Sequence, residues 1–220
     1  WAGEPISYPV GGVNSYIPNN ILYDPALKPQ NTQSYEIGVN LKMLNNRFGI
    51  DYTYSRQNVQ DQIFQVPLAG STGAASLVMN GGKVHTDGHE VVLYATPIAS
   101  NDFTWDISVN YSKIENVVDE LAPGVESIFL GGFVTPQVRA GIGDTYPVIY
   151  GTQYRKNELG QILVDEDPNS ASYGMPMAGE PGVLGSVSPD FIIGGSSTFT
   201  YKNLSLSGVF EWKNGGAMYS

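Results

Sequence analysis

Three pairs of segments with alternating apolar and polar side chains constrain the fold of this chain more than any other feature. The first pair covers about residues 34–44 and 47–56, and in both segments every second side chain is apolar. A period of two is typical of a β-strand with one apolar face. Asn45-Asn46 lies between the segments and tolerates positive φ, so the sequence predicts a tight hairpin turn there.

The other two pairs repeat this arrangement. The second covers about residues 83–97 and 102–113, and the third about 191–201 and 204–213. Each pair is joined by a short turn, and no segment shows a convincing helical period. The sequence therefore predicts an all-β protein with six antiparallel strands in three hairpins.

The connections between the pairs are much longer than the turns within them. They cover residues 57–82 and 114–190 and are interrupted by Gly and Pro, while residues 1–32 are an irregular loop. We expect residues 57–82 to be irregular apart from a short strand at 63–66, and we expect a small hairpin within residues 150–165. Tight turns at one end and long loops at the other are the layout of an outer-membrane β-barrel.

Two architectures explain the alternation. A soluble β-sandwich with one solvated face would produce it. A transmembrane barrel would also produce it, and strand lengths of about 11 residues together with the loop asymmetry favour the barrel. Aromatic residues near strand ends on the apolar side fit an interfacial belt; they are Tyr35, Tyr54, Tyr111 and Trp212. We predict about six strands of a larger transmembrane outer-membrane β-barrel with long extracellular loops.

The amino-acid composition argues against several classes of function and of binding site. The 220 residues include 26 Gly, 14 Pro and 14 Tyr, and only 15% are charged, which is typical of loop-rich β proteins. A net charge of −10 argues against nucleic-acid binding, which needs Lys and Arg. The chain has no Cys, so disulfides and thiolate metal sites are excluded. It begins at Trp1 without Met or a signal peptide, and we expect it to be a piece of a longer protein.

Short motifs follow one another in a recognisable order. They are Leu27-Lys-Pro-Gln-Asn-Thr-Gln-Ser-Tyr-Glu-Ile-Gly38, Leu44-Asn-Asn-Arg-Phe48, Asn80-Gly-Gly-Lys-Val84 with Gly88-His-Glu90, Ala95-Thr-Pro-Ile98, Phe103-Thr-Trp105 and Asn110-Tyr-Ser112. From about residue 26 to the end, this series resembles the C-terminal barrel of SusC/RagA-type TonB-dependent transporters of Bacteroidetes. The chain departs from the family pattern at Thr86-Asp87, where Asn is usual, and at His89, where an apolar residue is usual.

The resemblance implies that residues 1–220 are part of one TonB-dependent receptor β-barrel domain, with six strands of a barrel of about 22. The plug domain and the TonB-contacting segment would lie outside these residues. Such barrels sit in the cell outer membrane, in contact with its lipid. They import oligosaccharides or peptides under a SusD-like surface lipoprotein lid, with energy relayed by the TonB complex. No cofactor is implied.

Catalysis is not indicated by the residues themselves. No nucleophile, base and oxyanion set is visible and the chain has only two His, so we predict that it is not an enzyme. The alternative function is a soluble or surface-attached β-sandwich that acts as a carbohydrate-binding or adhesin module.

Four tyrosines in the long connection are candidates for contact with a ligand or a partner protein, because aromatic rings offer large contact areas at low entropic cost. They are Tyr146, Tyr150, Tyr154 and Tyr173. The alternative, which we favour, is that they pack the core of the loop itself. A second set comprises carboxylates expected on the polar, lumen-facing side of the strands: Glu36, Asp51, Glu90 and Asp106.

Two groups of residues bear on metal binding. His85, Asp87 and His89 alternate along one strand face and are weak candidates for a metal site, but a polar strand end explains them better. Residues 165–169 begin like a calcium loop, yet Ser170 stands where such a loop needs Gly and Pro176 where it needs Glu. We therefore predict no metal site.

Overall fold

The computed structural model describes residues 3–5, 16–18 and 20–219, and this part of the chain is built from β-strands. One short 3₁₀ turn, Gly70–Thr72, interrupts them. Within the described residues, no helix has the length and hydrophobicity to cross a membrane. The strands in chain order are β1 (Gly3–Pro5), β2 (Tyr16–Pro18), β3 (Ile21–Tyr23), β4 (Asn31–Met43), β5 (Phe48–Gln60), β6 (Ile63–Pro67), β7 (Ser76–Asn80), β8 (Gly82–Ala99), β9 (Phe103–Leu121), β10 (Ser127–Gly132), β11 (Gln137–Gly141), β12 (Val148–Tyr154), β13 (Ala178–Ser186), β14 (Pro189–Tyr201) and β15 (Leu204–Gly215).

Six long strands form one antiparallel sheet in the order β15-β14-β9-β8-β5-β4. They are the six strands that the alternating segments predict, in three adjacent hairpins. Each is longer than predicted, with 12 residues in β15 and 19 in β9. The sequence prediction ends β9 near residue 113, whereas the strand continues to Leu121.

The three tight turns all lie at one end of this sheet, which we call the turn end; the other is the loop end. Asn45 and Asn46 have φ of 55° and 65°, and the Arg47 amide donates to the Leu44 carbonyl at 3.2 Å. This is the two-residue turn that the Asn pair predicts. Lys202, in the third turn, also has positive φ, 52°.

The strand register defines two faces of the sheet, because residues paired across antiparallel strands project to the same side. One face carries Ile37, which pairs with Tyr54, which in turn pairs with His89. We call it the Ile37 face. The opposite side, the Glu36 face, carries Glu36, which pairs with Ser55. Apolar side chains follow the Ile37 face across all six strands toward the turn end: Leu41, Ile50, Leu93, Val109 and Phe210 are examples.

The apolar rows of the Ile37 face are covered by no second sheet within the described residues. Ile37 is 67% exposed, Leu206 72% and Phe210 56%. The outermost strands β4 and β15 are exposed along their length and are paired on one side only. Six strands of this length with two open edges form an unclosed wall of a barrel, and the β-sandwich alternative is wrong for the described chain.

Both long connections contain strands of their own, so the prediction that residues 57–82 are irregular apart from 63–66 is wrong. A four-stranded sheet, β10-β11-β12-β13, lies within residues 114–190, and a three-stranded sheet, β3-β7-β6, joins the chain before β4 to the connection between β5 and β8. The short strand predicted at 63–66 is confirmed as β6. Most of these strands have only 3–7 residues, too few for alternation to identify them. Residues 1–2, 6–15 and 19 of the loop predicted over 1–32 lie outside the described residues.

The hairpin predicted within residues 150–165 is partly right. Lys156 bridges to Ile162 around the expected tip. Residues 150–154, however, pair with β13 and not with 161–165. The sequence of β13 contains three Gly and one Pro and does not alternate, so the sequence does not identify it as the partner.

The buried core lies at the loop end of the sheet. Val84 and Val118 pair across β8 and β9 on the Glu36 face, and side chains from the loop strands cover them. Val118 is fully buried. The connections are thus packed onto the Glu36 face and leave the Ile37 face uncovered. The core cluster is Phe64, Val84, Val118, Leu121, Ile128 and Ala140, with Val66, Val125 and Tyr146 packed against it.

Candidate functional site

The four predicted carboxylates share one face of the sheet. The register places Glu36, Asp51, Glu90 and Asp106 all on the Glu36 face. Asp51 accepts a hydrogen bond from Asn40 Nδ2 at 2.8 Å, and Asp106 accepts one from Thr96 Oγ1 at 2.7 Å. Among the described residues, no hydrogen bond or ion pair joins two of the four. They are dispersed over this face and do not form a pair of cooperating acids.

The Ile37 face changes from apolar to charged toward the loop end. Asp87 accepts a hydrogen bond from Tyr54 Oη at 2.7 Å, and Arg56 Nη1 lies 2.9 Å from Asp87 Oδ2. One strand further, Lys113 and Glu115 form an ion pair at 3.3 Å. Charged side chains on this face therefore begin four residues beyond Tyr52 on β5 and two residues beyond Tyr111 on β9.

The candidate metal ligands are on one face, as predicted, but each has another partner. His85 Nδ1 lies 2.7 Å from Asp119 Oδ1, while its Nε2 is 3.7 Å from Asp87 Oδ2. His89 Nδ1 lies 3.0 Å from Tyr52 Oη, and its ring centre is 5.1 Å from that of Tyr54. Within the described chain, no three His, Asp or Glu side chains are arranged to hold a metal ion.

Sequence reasoning misses Asp119 because it lies beyond the predicted end of its strand. The segment after Ser112 loses its alternation, since Val117 and Val118 are adjacent apolar residues. Counting in steps of two from Lys113 and Glu115 reaches Asp119, but only if β9 is taken to extend to Leu121.

The four candidate tyrosines divide into two structural roles. Tyr146 is packed against the buried core, and its amide donates to the Asn116 carbonyl at 2.9 Å. Tyr150 lies under the Arg139 guanidinium, 4.4 Å from the ring centre. Tyr154 and Tyr173 are 58% and 62% exposed. The structure does not bring the four together in one site.

The acidic loop that begins at Asp165 is organised by its own hydrogen bonds. Asp165 Oδ1 accepts from the Asp167 amide at 3.0 Å, and Asp165 Oδ2 accepts from Ser172 Oγ at 2.8 Å. Hydrogen bonding from Ser170, the Asp167 amide and Ser172 lowers the pKa of the Asp165 carboxyl below its usual value. These contacts are those of a self-capped turn.

Comparison with known proteins identifies the family. The family model described as "TonB dependent receptor-like, beta-barrel" matches residues 3–208. The chain is 25% identical over 209 residues to TonB-dependent receptor P3 of Formosa agariphila, a match that covers 86% of this chain and 21% of that protein. It is 25% identical over 218 residues to TonB-dependent receptor SusC of Bacteroides thetaiotaomicron, covering 93% of this chain and 21% of SusC.

A solved structure shares the fold. The structure of the RagAB peptide transporter superimposes with a TM-score of 0.72 at 19% identity, covering 96% of this chain and 24% of that chain. The chain spans about a fifth of the length of the relatives it matches. The resemblance drawn from the motifs is confirmed: this chain belongs to the TonB-dependent receptor β-barrel family.

Proposed function

We propose that this chain forms part of the barrel wall and the outer loops of a TonB-dependent importer in the outer membrane. The observation that carries the proposal is the uncovered set of apolar rows on the Ile37 face, in a sheet whose strands have 12–19 residues. A transmembrane β-strand needs about 9–11 residues, so every strand of the sheet is long enough to cross the bilayer. A soluble protein would bury such a surface under another layer.

In this proposal the Ile37 face contacts lipid and the Glu36 face lines the lumen. The side chains of Tyr35 to Met43 and Phe48 to Tyr54 that share the Ile37 face then point into the membrane. The Asn45-Asn46 turn is periplasmic, and the loop end is extracellular. The onset of charge at Arg56 and Lys113 supports this orientation, because ionised groups are costly at membrane depth and favourable at its surface.

The polar residues would act as part of the import pathway. Glu36, Asp51, Glu90 and Asp106 give the lumen a hydrated acidic wall that contacts the plug or the passing solute. Tyr154 and Tyr173 are exposed and present their rings to a ligand or a lid. Tyr146 and Tyr150 would support these contacts indirectly, because Tyr146 packs against the core at the ends of β8 and β9 and Tyr150 contacts Arg139 within the loop sheet.

The intact protein would capture an oligosaccharide or a peptide under a SusD-like lipoprotein lid. Energy relayed by the TonB complex would then displace the plug and open the lumen. The RagAB structure is that of a peptide transporter, which supports the peptide class, while the oligosaccharide class rests on the resemblance to SusC/RagA-type transporters. This chain supplies wall and loops to that process and performs no chemistry.

Two measurements test the proposal. The full-length protein should fractionate with outer membranes, need detergent for extraction and change mobility on gels after heating. Deletion of its gene should abolish growth on one class of glycan or peptide.

Complementation with Tyr154→Ala plus Tyr173→Ala should lower uptake, whereas Leu159→Ala, at an 83% exposed position of the same loop region, should not. Extraction without detergent, or unchanged uptake of every glycan and peptide after deletion, would refute it.

A further inference from the structure

A cleft opens in the middle of the six-stranded sheet, where β9 and β14 separate. The two strands pair from Phe103 with Tyr201 to Ser112 with Ile192. Beyond that point β9 continues to Leu121, whereas the chain on the other side turns away at Pro189. The resulting cleft has a volume of about 280 Å³ on the side of Lys113 and Glu115 and extends into a second space of about 240 Å³. Both walls of the cleft belong to this chain. The cleft therefore does not depend on what pairs with the outer edges of β4 and β15.

The edge of β9 is open inside the cleft. The Asn116 carbonyl accepts from the Tyr146 amide at 2.9 Å, and the Val118 amide donates to the Asp144 carbonyl at 3.2 Å. Alternate residues of a strand direct their peptide groups to the same side. The N–H and C=O of Ile114 therefore face the cleft, at a level where the ladder with β14 has already ended.

Aromatic rings border the cleft on the side of the apolar rows. The rings of Tyr111 and Phe191 have centres 5.8 Å apart, and Phe191 meets Trp212 edge-on at 5.4 Å. Tyr111 and Phe191 both line the cleft. They offer apolar ring surface next to polar groups.

Charged and polar groups form the rest of the lining. The Lys113–Glu115 ion pair is half exposed, with 44% and 48% of the side chains accessible. Asp190 lies at the irregularity between Pro189 and Phe191, where β14 begins. One ammonium and two carboxylates leave the lining with a net negative charge.

We propose that this cleft binds a sugar unit. A pyranose ring presents an apolar C–H surface that fits against Tyr111 and Phe191, while its hydroxyl groups both donate and accept hydrogen bonds. Carboxylates accept from those hydroxyls, and Lys113 donates to them. The N–H and C=O of Ile114 face the same space, so one hydroxyl group can accept from the N–H and donate to the C=O.

An extended peptide fits less well. Strand addition needs a run of free, alternating peptide groups. Between Ser112 and Asn116, only Ile114 directs such groups into the cleft, so an added strand would gain very few main-chain bonds.

The sugar can come from two sources. One is a soluble oligosaccharide; the other is the saccharide headgroup of an outer-leaflet glycolipid. Only the second source rests on the proposed membrane function, in which Tyr111, Phe191 and Trp212 end the apolar rows at the height of the lipid headgroups. The cleft itself is a feature of the sheet in either case.

The experiment uses the full-length receptor in detergent micelles with three probes: soluble neutral oligosaccharides, deacylated lipopolysaccharide and intact lipopolysaccharide. Binding is measured by native mass spectrometry on the wild type and on Glu115→Gln and Asp190→Asn. The matched control is Glu120→Gln, which removes the carboxylate of the exposed Lys83–Glu120 pair on the same strand, outside the cleft. Heat-dependent gel mobility verifies that each variant is folded.

The expected result is that at least one saccharide probe binds and that each cleft variant weakens its binding by about tenfold, the effect of losing a hydrogen bond to a charged group. Binding of the intact lipid alone assigns the glycolipid source; binding of soluble sugars as well assigns the saccharide itself. No binding of any probe, equal loss in Glu120→Gln, or displacement of the bound sugar by an extended peptide overturns the proposal. Substrate uptake is measured in parallel, so a failure of the cleft is distinguished from a failure of import.

Discussion

The Arg56 guanidinium donates to the Asp87 carboxylate across strands β5 and β8, with Nη1 2.9 Å from Oδ2. Tyr54 Oη donates to the same carboxylate at 2.7 Å. The side chains of Arg56 and Asp87 are 31% and 26% exposed. This pair therefore joins two strands where the Ile37 face changes from apolar to charged, and it is shielded more than a freely exposed ion pair.

Replacement of Asp87 tests how much that pair stabilises the wall. Asp87→Ala removes the acceptor for both Tyr54 and Arg56 and leaves a partly buried guanidinium without its carboxylate. We expect a loss of about 1–3 kcal/mol in the free energy of unfolding. The measurement is urea unfolding of the full-length receptor in detergent.

The control for this change is Glu120→Ala. Its ion pair with Lys83 has side chains that are 53% and 60% exposed, so we expect a loss below about 1 kcal/mol. Equal losses in the two variants would show that the Asp87 contacts contribute no more than an ordinary surface pair.

The loop core should be separable from the barrel wall. Ile128 is 2% exposed and belongs to the cluster that holds the loop strands on the ends of β8 and β9. Ile128→Ala should destabilise the packing of the loop core by about 2–5 kcal/mol, because the neighbouring side chains only partly refill the cavity that the truncation leaves. Since the ladders of the six-stranded sheet are unchanged, the variant should still insert.

Limited proteolysis of intact cells measures the effect. We expect new cleavage within residues 122–147 in Ile128→Ala and none in Val134→Ala, a position that is 90% exposed. Loss of the whole protein from the membrane would contradict the view that the loop sheet is an independent layer.

The long strands could be predicted from sequence and the loop strands could not, for a physical reason. Each long strand has one apolar face, so alternation persists along the strand, as over the nine residues from Tyr35 to Met43. The loop strands are short, and β13 is interrupted by Gly and Pro. The upper part of β9 was also missed, because Val118 is buried in the loop core while neighbouring Val117 lies on the other face.

The same limit applies to the candidate residues. Alternation correctly assigns Glu36 and Asp51 to one face, because facing depends only on position along a strand. The contact of Asp119 with His85 depends on the register between β8 and the part of β9 beyond its predicted end, which a single sequence does not contain.

In the first turn, the stability of the protein should depend on which residue replaces Asn46. Asn46 has φ of 65°, a region that costs most side chains about 1–2 kcal/mol and that Asn and Gly tolerate. Asn46→Ala should therefore lower the free energy of unfolding by about 1 kcal/mol, whereas Asn46→Gly should change it by only a few tenths. Urea midpoints in detergent distinguish the two, and equal midpoints would contradict the assigned turn.

Acidification should loosen the loop that begins at Asp165. Hydrogen bonds from Ser170, the Asp167 amide and Ser172 lower the pKa of this carboxyl, so the ordered loop binds fewer protons than the disordered one. Its stabilising contribution is complete above about pH 4 and is lost as the pH falls through the lowered pKa.

Protection of the amides of Asp167 and Gly174 from hydrogen exchange, corrected for intrinsic rates, should decrease over that range. Asp165→Asn should show weak protection at every pH, and Glu166→Gln, next to it and exposed, should keep the wild-type profile. A pH-independent protection in the wild type would mean that the backbone bond from Gly174 N to Asp165 O, at 2.8 Å, holds the loop without the carboxylate.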